Sequence, residues 1–160
     1  TASNYSVTLR PMNDSVEDGF DQILWLDGQE HKYVEEAGQM NIFFRLGDSV
    51  VTPDLSGTIL PGVTRESVLT LLDDMGVTAT ERRLSMDELF LAQANGELYE
   101  AFGAGTASVV VPIGRIRYHD SDLRFPDEKQ GNLCPELYNK ILGIQHGELE
   151  DRHYWMMPLE

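Results

Sequence analysis

The chain has 160 residues, 41% hydrophobic and 24% charged, with 27 acidic against 12 basic side chains and a net charge of −15. This is the composition of one globular domain; it excludes fibrous and disordered classes, and its negative field works against binding nucleic acid. No apolar run reaches the roughly 18 residues of a membrane span, and the single cysteine, Cys134, has no partner within the chain, which fits a reducing, cytoplasmic setting.

Residues 22–26 (QILWL) read as a buried strand closed by the turn pair Asp27-Gly28. Residues 33–36 and 41–46 read as two more strands, and Gly47-Asp48 as a hairpin turn before a strand at 49–52. Residues 54–62 (DLSGTILPG) form a loop. A helix follows, with Thr64 as its N-cap, Val68, Leu69, Leu71, Leu72 and Met75 on its apolar face, and Gly76 as its stop. Residues 77–84 are strand-like. The capping box Ser85-Met86-Asp87-Glu88 opens a second helix that ends near Ala94 at Asn95-Gly96. Residues 99–102 read as a strand, 103–107 (GAGTA) as a tight turn, and 108–113 (SVVVPI) as a strand whose Pro112 belongs at an edge. Residues 115–118 and 123–125 pair as a hairpin, 127–132 form a polar loop, and 135–145 form the last helix. The pattern is one mixed α/β (α+β) domain with more strands than helices.

Common catalytic signatures are missing. His31, His119, His146 and His153 are scattered without metal-ligand spacing, so no metal is expected. Gly103-x-Gly105 precedes a strand, not the helix that a dinucleotide site needs. Two loops have the make-up of anion sites. The run LPGVT at 60–64 leads into a helix, whose free amides and macrodipole favour negative charge; taken alone it is more often a plain turn and N-cap. The small residues at 103–107 let a ligand approach the backbone, with the Thr106 hydroxyl as a further donor; taken alone they are more often a tight hairpin. The pair Glu35-Glu36 reads as a solvated acidic strand edge.

Taken together, the runs QILWLDG at 22–28, HKYVEEAGQMNIFF at 31–44, ILPGVTR at 59–65, EAFGAGTA at 100–107 and NKILGIQHG at 139–147, with Trp155 near the end, resemble the branched-chain amino acid aminotransferases in order and spacing. The resemblance spans almost the whole chain. It implies a fold-type IV architecture, with residues 1–160 as the large, C-terminal, strand-rich pseudo-barrel domain, similar to D-amino-acid aminotransferase. It also implies pyridoxal 5'-phosphate as cofactor, branched-chain amino acids and 2-oxo acids as substrates, and a homodimer. Glu36 would face the pyridine nitrogen, Val63 and Thr64 would give amides to the phosphate, and Thr106 would add its hydroxyl. Gly105, Thr106 and Ala107 would hold the substrate carboxylate, and Tyr5 would bond the phenolic oxygen.

The family's Schiff-base lysine precedes that tyrosine by five residues, which here falls just ahead of Thr1. Lys32, Lys129 and Lys140 sit in other contexts, so the 160 residues without the lysine and the small N-terminal domain are expected to be inactive. Other departures from the family pattern are Ala2-Ser3 in place of two glycines and Gln39 in place of a common threonine. Ser108 and Val111 replace a Cys-x-x-Cys pair, and Leu9 to Met12, with Pro11, should interrupt a helix. The alternatives are an isolated non-catalytic domain that binds phosphate ligands weakly, and a D-amino-acid aminotransferase or aminodeoxychorismate lyase of the same fold.

Overall fold

A computed structural model describes residues 9–125 and 133–157. The elements in chain order are α1 (Leu9–Glu17), β1 (Leu24–Leu26), β2 (Val34–Ala37), β3 (Met40–Leu46), β4 (Ser49–Thr52), α2 (Val63–Asp74), β5 (Thr78–Glu81), α3 (Met86–Ala94), β6 (Leu98–Gly105), β7 (Val109–Pro112), β8 (Arg115–Tyr118), β9 (Ser121–Arg124) and α4 (Leu133–Gln145).

β3 is the hub of a seven-stranded sheet. β6 runs antiparallel along one edge of it, from Asn41 opposite Ala104 to Leu46 opposite Leu98. β2 and β4 share the other edge: β2 pairs at Met40 and Asn41, and β4 at Phe44 to Leu46. The sheet therefore forks beside Ile42 and Phe43. The Thr52 hydroxyl closes the gap by donating to the Ile42 carbonyl at 2.7 Å, which satisfies a buried acceptor that would otherwise lack a ladder partner. β5 adds to β4 in parallel, as the α2 crossover allows, and β7 closes the far edge on β6. β8 and β9 form a separate hairpin.

Strand alternation sends successive β3 side chains to opposite faces. Ile42 and Phe44 join Met86 and Leu89 of α3 and Ile116 and Leu123 of the hairpin. Phe43 joins Val68, Leu71 and Leu72 of α2 and Leu137, Ile141 and Ile144 of α4. Phe43 and its cross-strand partner Phe102 stack with centroids 5.1 Å apart, both fully buried. Phe102→Ala should cost about 3–5 kcal/mol of unfolding free energy in urea titrations; a loss under about 1 kcal/mol would mean that the face is loosely packed.

Several expected boundaries move. Residues 9–12 do not interrupt a helix. Pro11 is the third residue of the described helix, and its fixed φ is helical. The strand expected at 22–26 shrinks to Leu24–Leu26, with a register shift after Trp25. The strand expected at 77–84 shrinks to Thr78–Glu81. β6 continues through Gly103 to Gly105, so the turn begins only at Thr106. Those glycines serve close approach rather than turning, because a Cβ on Gly103 would meet Met40 Cε at 2.9 Å. The capping box at Ser85 forms, with its hydroxyl accepting the Glu88 N–H at 3.2 Å. The polar loop expected at 127–132 lies outside the described residues. No helix among the described residues is long and apolar enough to cross a membrane.

Candidate functional site

Glu36 stands opposite Trp25 of β1 and Asn41 of β3, and Asn41 stands opposite Ala104 of β6. Residues in register share a face, so this row lies on the α2 and α4 side, where Ala104 is buried with Phe43. The row ends at the mouth of the fork, where β2 stops pairing with β3. The chain from Pro53 to Gly62 passes there and delivers α2.

Glu36 is half-buried, and its Oε1 accepts the Leu60 N–H at 3.3 Å and the Asn41 Nδ2–H at 3.4 Å. Its Oε2 has no hydrogen-bond partner among the described residues. Burial is the main influence on its carboxyl and raises the pKa; the Leu60 N–H opposes that, and the charge of Glu35 adds to it. Among the described residues Glu36 is thus an underpaired carboxylate, and a cationic group beside it would favour its charged form. Asn41 is 6% exposed and also donates to the Leu60 carbonyl at 2.9 Å.

The start of α2 corrects the sequence reading. Thr64 is not the N-cap; it is the second helical residue, behind an extended Gly62 with φ −70° and ψ 137°. Gly62 has no side chain to bond the first amides, and its carbonyl already accepts the Glu66 N–H at 3.1 Å. The Val63 and Thr64 amides thus open the helix with no capping side chain on them, and Val63 itself is 82% exposed. This end of the helix is suited to an anion. The turn that starts at Thr106 is exposed, two residues beyond the Ala104 that faces Asn41. Hydrogen bonds therefore tie Glu36 to the segment that leads to Val63 and Thr64, while Gly105, Thr106 and Ala107 lie at the end of the neighbouring strand. Tyr5 lies outside the described residues.

Reading the sequence missed four buried polar groups. Asn41 is the first; its signal is a polar residue two positions from Phe43 on an inward face. Arg65 is the second: 4% exposed, it donates through Nη2 to the Pro53 carbonyl at 2.9 Å and to Glu81 at 2.6 Å, anchoring α2 to the strand exits. Its Nε has no partner among the described residues. Asp27 is the third and accepts the N–H groups of Glu30, Lys32 and Tyr33, which hold its carboxyl well below the usual range, Tyr33 most strongly. Glu100 is the fourth. It pairs with Arg45 at 3.3 Å and accepts the Leu133 and Cys134 N–H groups at the start of α4. Burial, with the nearby Glu100 charge, pushes the Cys134 thiol up to about 12, so it is a packing residue. Among the described residues, no group of three or more His, Cys, Asp and Glu side chains is arranged to hold a metal.

The family model described as amino-transferase class IV matches residues 2–116, more than half of the chain and all of this site. The chain belongs to the class IV aminotransferases. Among curated relatives it is 48% identical over 99% of its length to a probable branched-chain-amino-acid aminotransferase of Staphylococcus epidermidis, and it spans 44% of that protein. It is 44% identical over 97% of its length to branched-chain-amino-acid aminotransferase 2 of Bacillus subtilis, of which it spans 43%. Less than half the length of these relatives is thus represented. A solved branched-chain amino acid aminotransferase of T.th., complexed with N-(5'-phosphopyridoxyl)-L-glutamate, superposes with a TM-score of 0.79 at 26% identity, over 97% of this chain and 48% of that one. The mixed α/β architecture of this class IV aminotransferase chain is that of the fold-type IV enzymes.

Proposed function

We propose that the chain is the large, cofactor-binding part of a longer enzyme. That enzyme moves an amino group between leucine, isoleucine or valine and 2-oxoglutarate, with pyridoxal 5'-phosphate as cofactor. The observation that carries the reading is the hydrogen-bonded connection between a half-buried carboxylate, Glu36, and the uncapped helix start at Val63 and Thr64. An anion-binding helix end and a carboxylate with one oxygen unengaged suit a cofactor that has a phosphate at one end and a protonatable ring nitrogen at the other. The relatives named above support the substrate class.

When bound, pyridoxal phosphate supplies an electron-accepting ring and the carbon that carries the amino group. The Glu36 carboxylate would accept the pyridine N–H and keep that proton in place. The Val63 and Thr64 amides, with the Thr106 hydroxyl, hold the phosphate. The amides of Gly105, Thr106 and Ala107 hold the substrate carboxylate and so orient its Cα hydrogen. Tyr5 donates to the phenolic oxygen. The enzyme would work as a homodimer in the cytoplasm. The exposed Tyr154 and Met157, at 92% and 86%, are apolar surface for the rest of the assembly to cover.

The test uses a chain extended at its N-terminus through the lysine and the small domain. It should transaminate leucine with 2-oxoglutarate and discriminate against D-alanine. A preference for D-alanine would move the assignment to a D-amino-acid aminotransferase.

A further inference from the structure

We propose that Asn41 is a positioning residue that sets both ends of the cofactor site through one side chain. It would align the Glu36 carboxylate for the ring nitrogen and fix the loop that presents the phosphate-binding amides. The inference rests on the functional reading above and extends it to a residue that touches neither end of the ligand itself.

The geometry is a closed triangle. Asn41 Nδ2 donates to the Leu60 carbonyl at 2.9 Å and to Glu36 Oε1 at 3.4 Å, and the Leu60 N–H donates to the same Oε1 at 3.3 Å. Both donors engage one carboxylate oxygen and leave the other without a hydrogen-bond partner among the described residues. The Asn41 Oδ1 edge lies against Gly62, so closely that a Cβ on Gly62 would collide with it. The amide group therefore bonds the loop at Leu60 and bears on it at Gly62, the residue before the Val63 and Thr64 amides.

The backbone makes this device rigid. Asn41 is the last β3 residue paired with β2 before the fork, and it is paired on its other side with Ala104. At 6% exposure its side chain has no water to turn toward, so its hydrogen bonds hold it in one orientation. The two N–H groups of one Nδ2 span the strand that carries Glu36 and the loop that delivers α2.

The experiment uses the N-terminally extended chain and the variants Asn41→Ala and Asn41→Asp. The dissociation constants of pyridoxal 5'-phosphate and of pyridoxal, which lacks the phosphate, are measured together with the melting temperature. The 31P resonance of the bound phosphate is followed as well. Asn41→Asp keeps the size and replaces the donor with a second carboxyl beside Glu36, so it breaks the triangle even where Asn41→Ala loosens the packing. Both variants should weaken pyridoxal phosphate about tenfold or more. Pyridoxal should weaken too, and the 31P line should shift. Glu36→Gln combined with Asn41→Asp should lose less than the product of the single losses, because both act on the ring-nitrogen contact. Affinities within about twofold of wild type in both variants, or additive losses, would overturn the inference. So would failure of both variants to fold, which would place Asn41 in the fold alone. A wild-type extended chain that binds no pyridoxal phosphate would overturn the functional reading and the inference with it. Wild-type binding with unaltered variants would overturn the inference alone.

Discussion

Glu36→Gln in the N-terminally extended chain should lower the transamination rate by about 10²-fold or more, without lowering the melting temperature. Glutamine keeps the carbonyl oxygen that accepts from Leu60 and Asn41, so the local hydrogen bonds survive and only the charge is lost. The charge is what an electron-accepting pyridinium needs opposite it. The sign of the stability effect follows from the direction of the pKa. A carboxyl raised in the folded state, mainly by burial, favours folding when protonated, so ionised Glu36 weakens the fold above its unfolded pKa. Removing its charge therefore leaves the apo fold as stable as before, or more so. In the wild type, cofactor affinity should fall with pH as Glu36 protonates, at a pH above the ordinary range for glutamate, and that acid limb should vanish in Glu36→Gln. Stopped-flow rates and cofactor titrations from pH 5 to 8 measure both effects. A Glu36→Gln enzyme within about threefold of wild type would make Glu36 a plain edge residue. Glu35, whose carboxylate accepts the Thr58 hydroxyl at 2.8 Å, would then be the next residue to substitute.

The parts of this site that were legible in the sequence are those that depend on local pattern. LPGVTR announces a helix start and EAFGAGTA a close-approach segment, because proline, glycine and small residues act within their own few positions. Even there the sequence misplaced the cap by two residues: Gly62, not Thr64, leads the helix, in a loop bonded to Asn41, 21 positions upstream of Gly62. The fork was not legible. A seven-residue apolar strand looks the same whether one partner or two share its edge, and only the long-range pairing of β2 and β4 with β3 creates the fork beside Ile42 and Phe43. The buried polar groups were hidden for the same reason. Arg65 reads as a surface residue in the first turn of a helix, and its burial comes from Pro53 and Glu81 at the strand exits. Gly103 and Gly105 read as a turn because composition signals flexibility, whereas Met40 across the strand pair uses their lack of side chains.

The 160-residue chain supplied with pyridoxal phosphate, leucine and 2-oxoglutarate should show no turnover above about 10⁻⁴ of the extended chain's rate. Transamination needs an amine that can attach to the cofactor carbon and carry the substrate Cα proton, and its pKa must be lowered enough to act near neutral pH. The described lysines do not meet that need. Lys32 forms a surface pair with Asp87 at 3.5 Å, and Lys140 pairs with Glu136 one helical turn away at 3.8 Å. Each is a surface side chain already engaged by a carboxylate. The same chain should still bind pyridoxal phosphate weakly, since Glu36, the Val63 and Thr64 amides and Thr106 are all present. The two measurements therefore separate holding the cofactor from reacting on it. Weak binding without turnover is the expected pair. Turnover by a chain whose intact mass is verified would show that one of its own side chains serves as the base, and the first substitution to make would be Lys129→Ala, in the segment between β9 and α4.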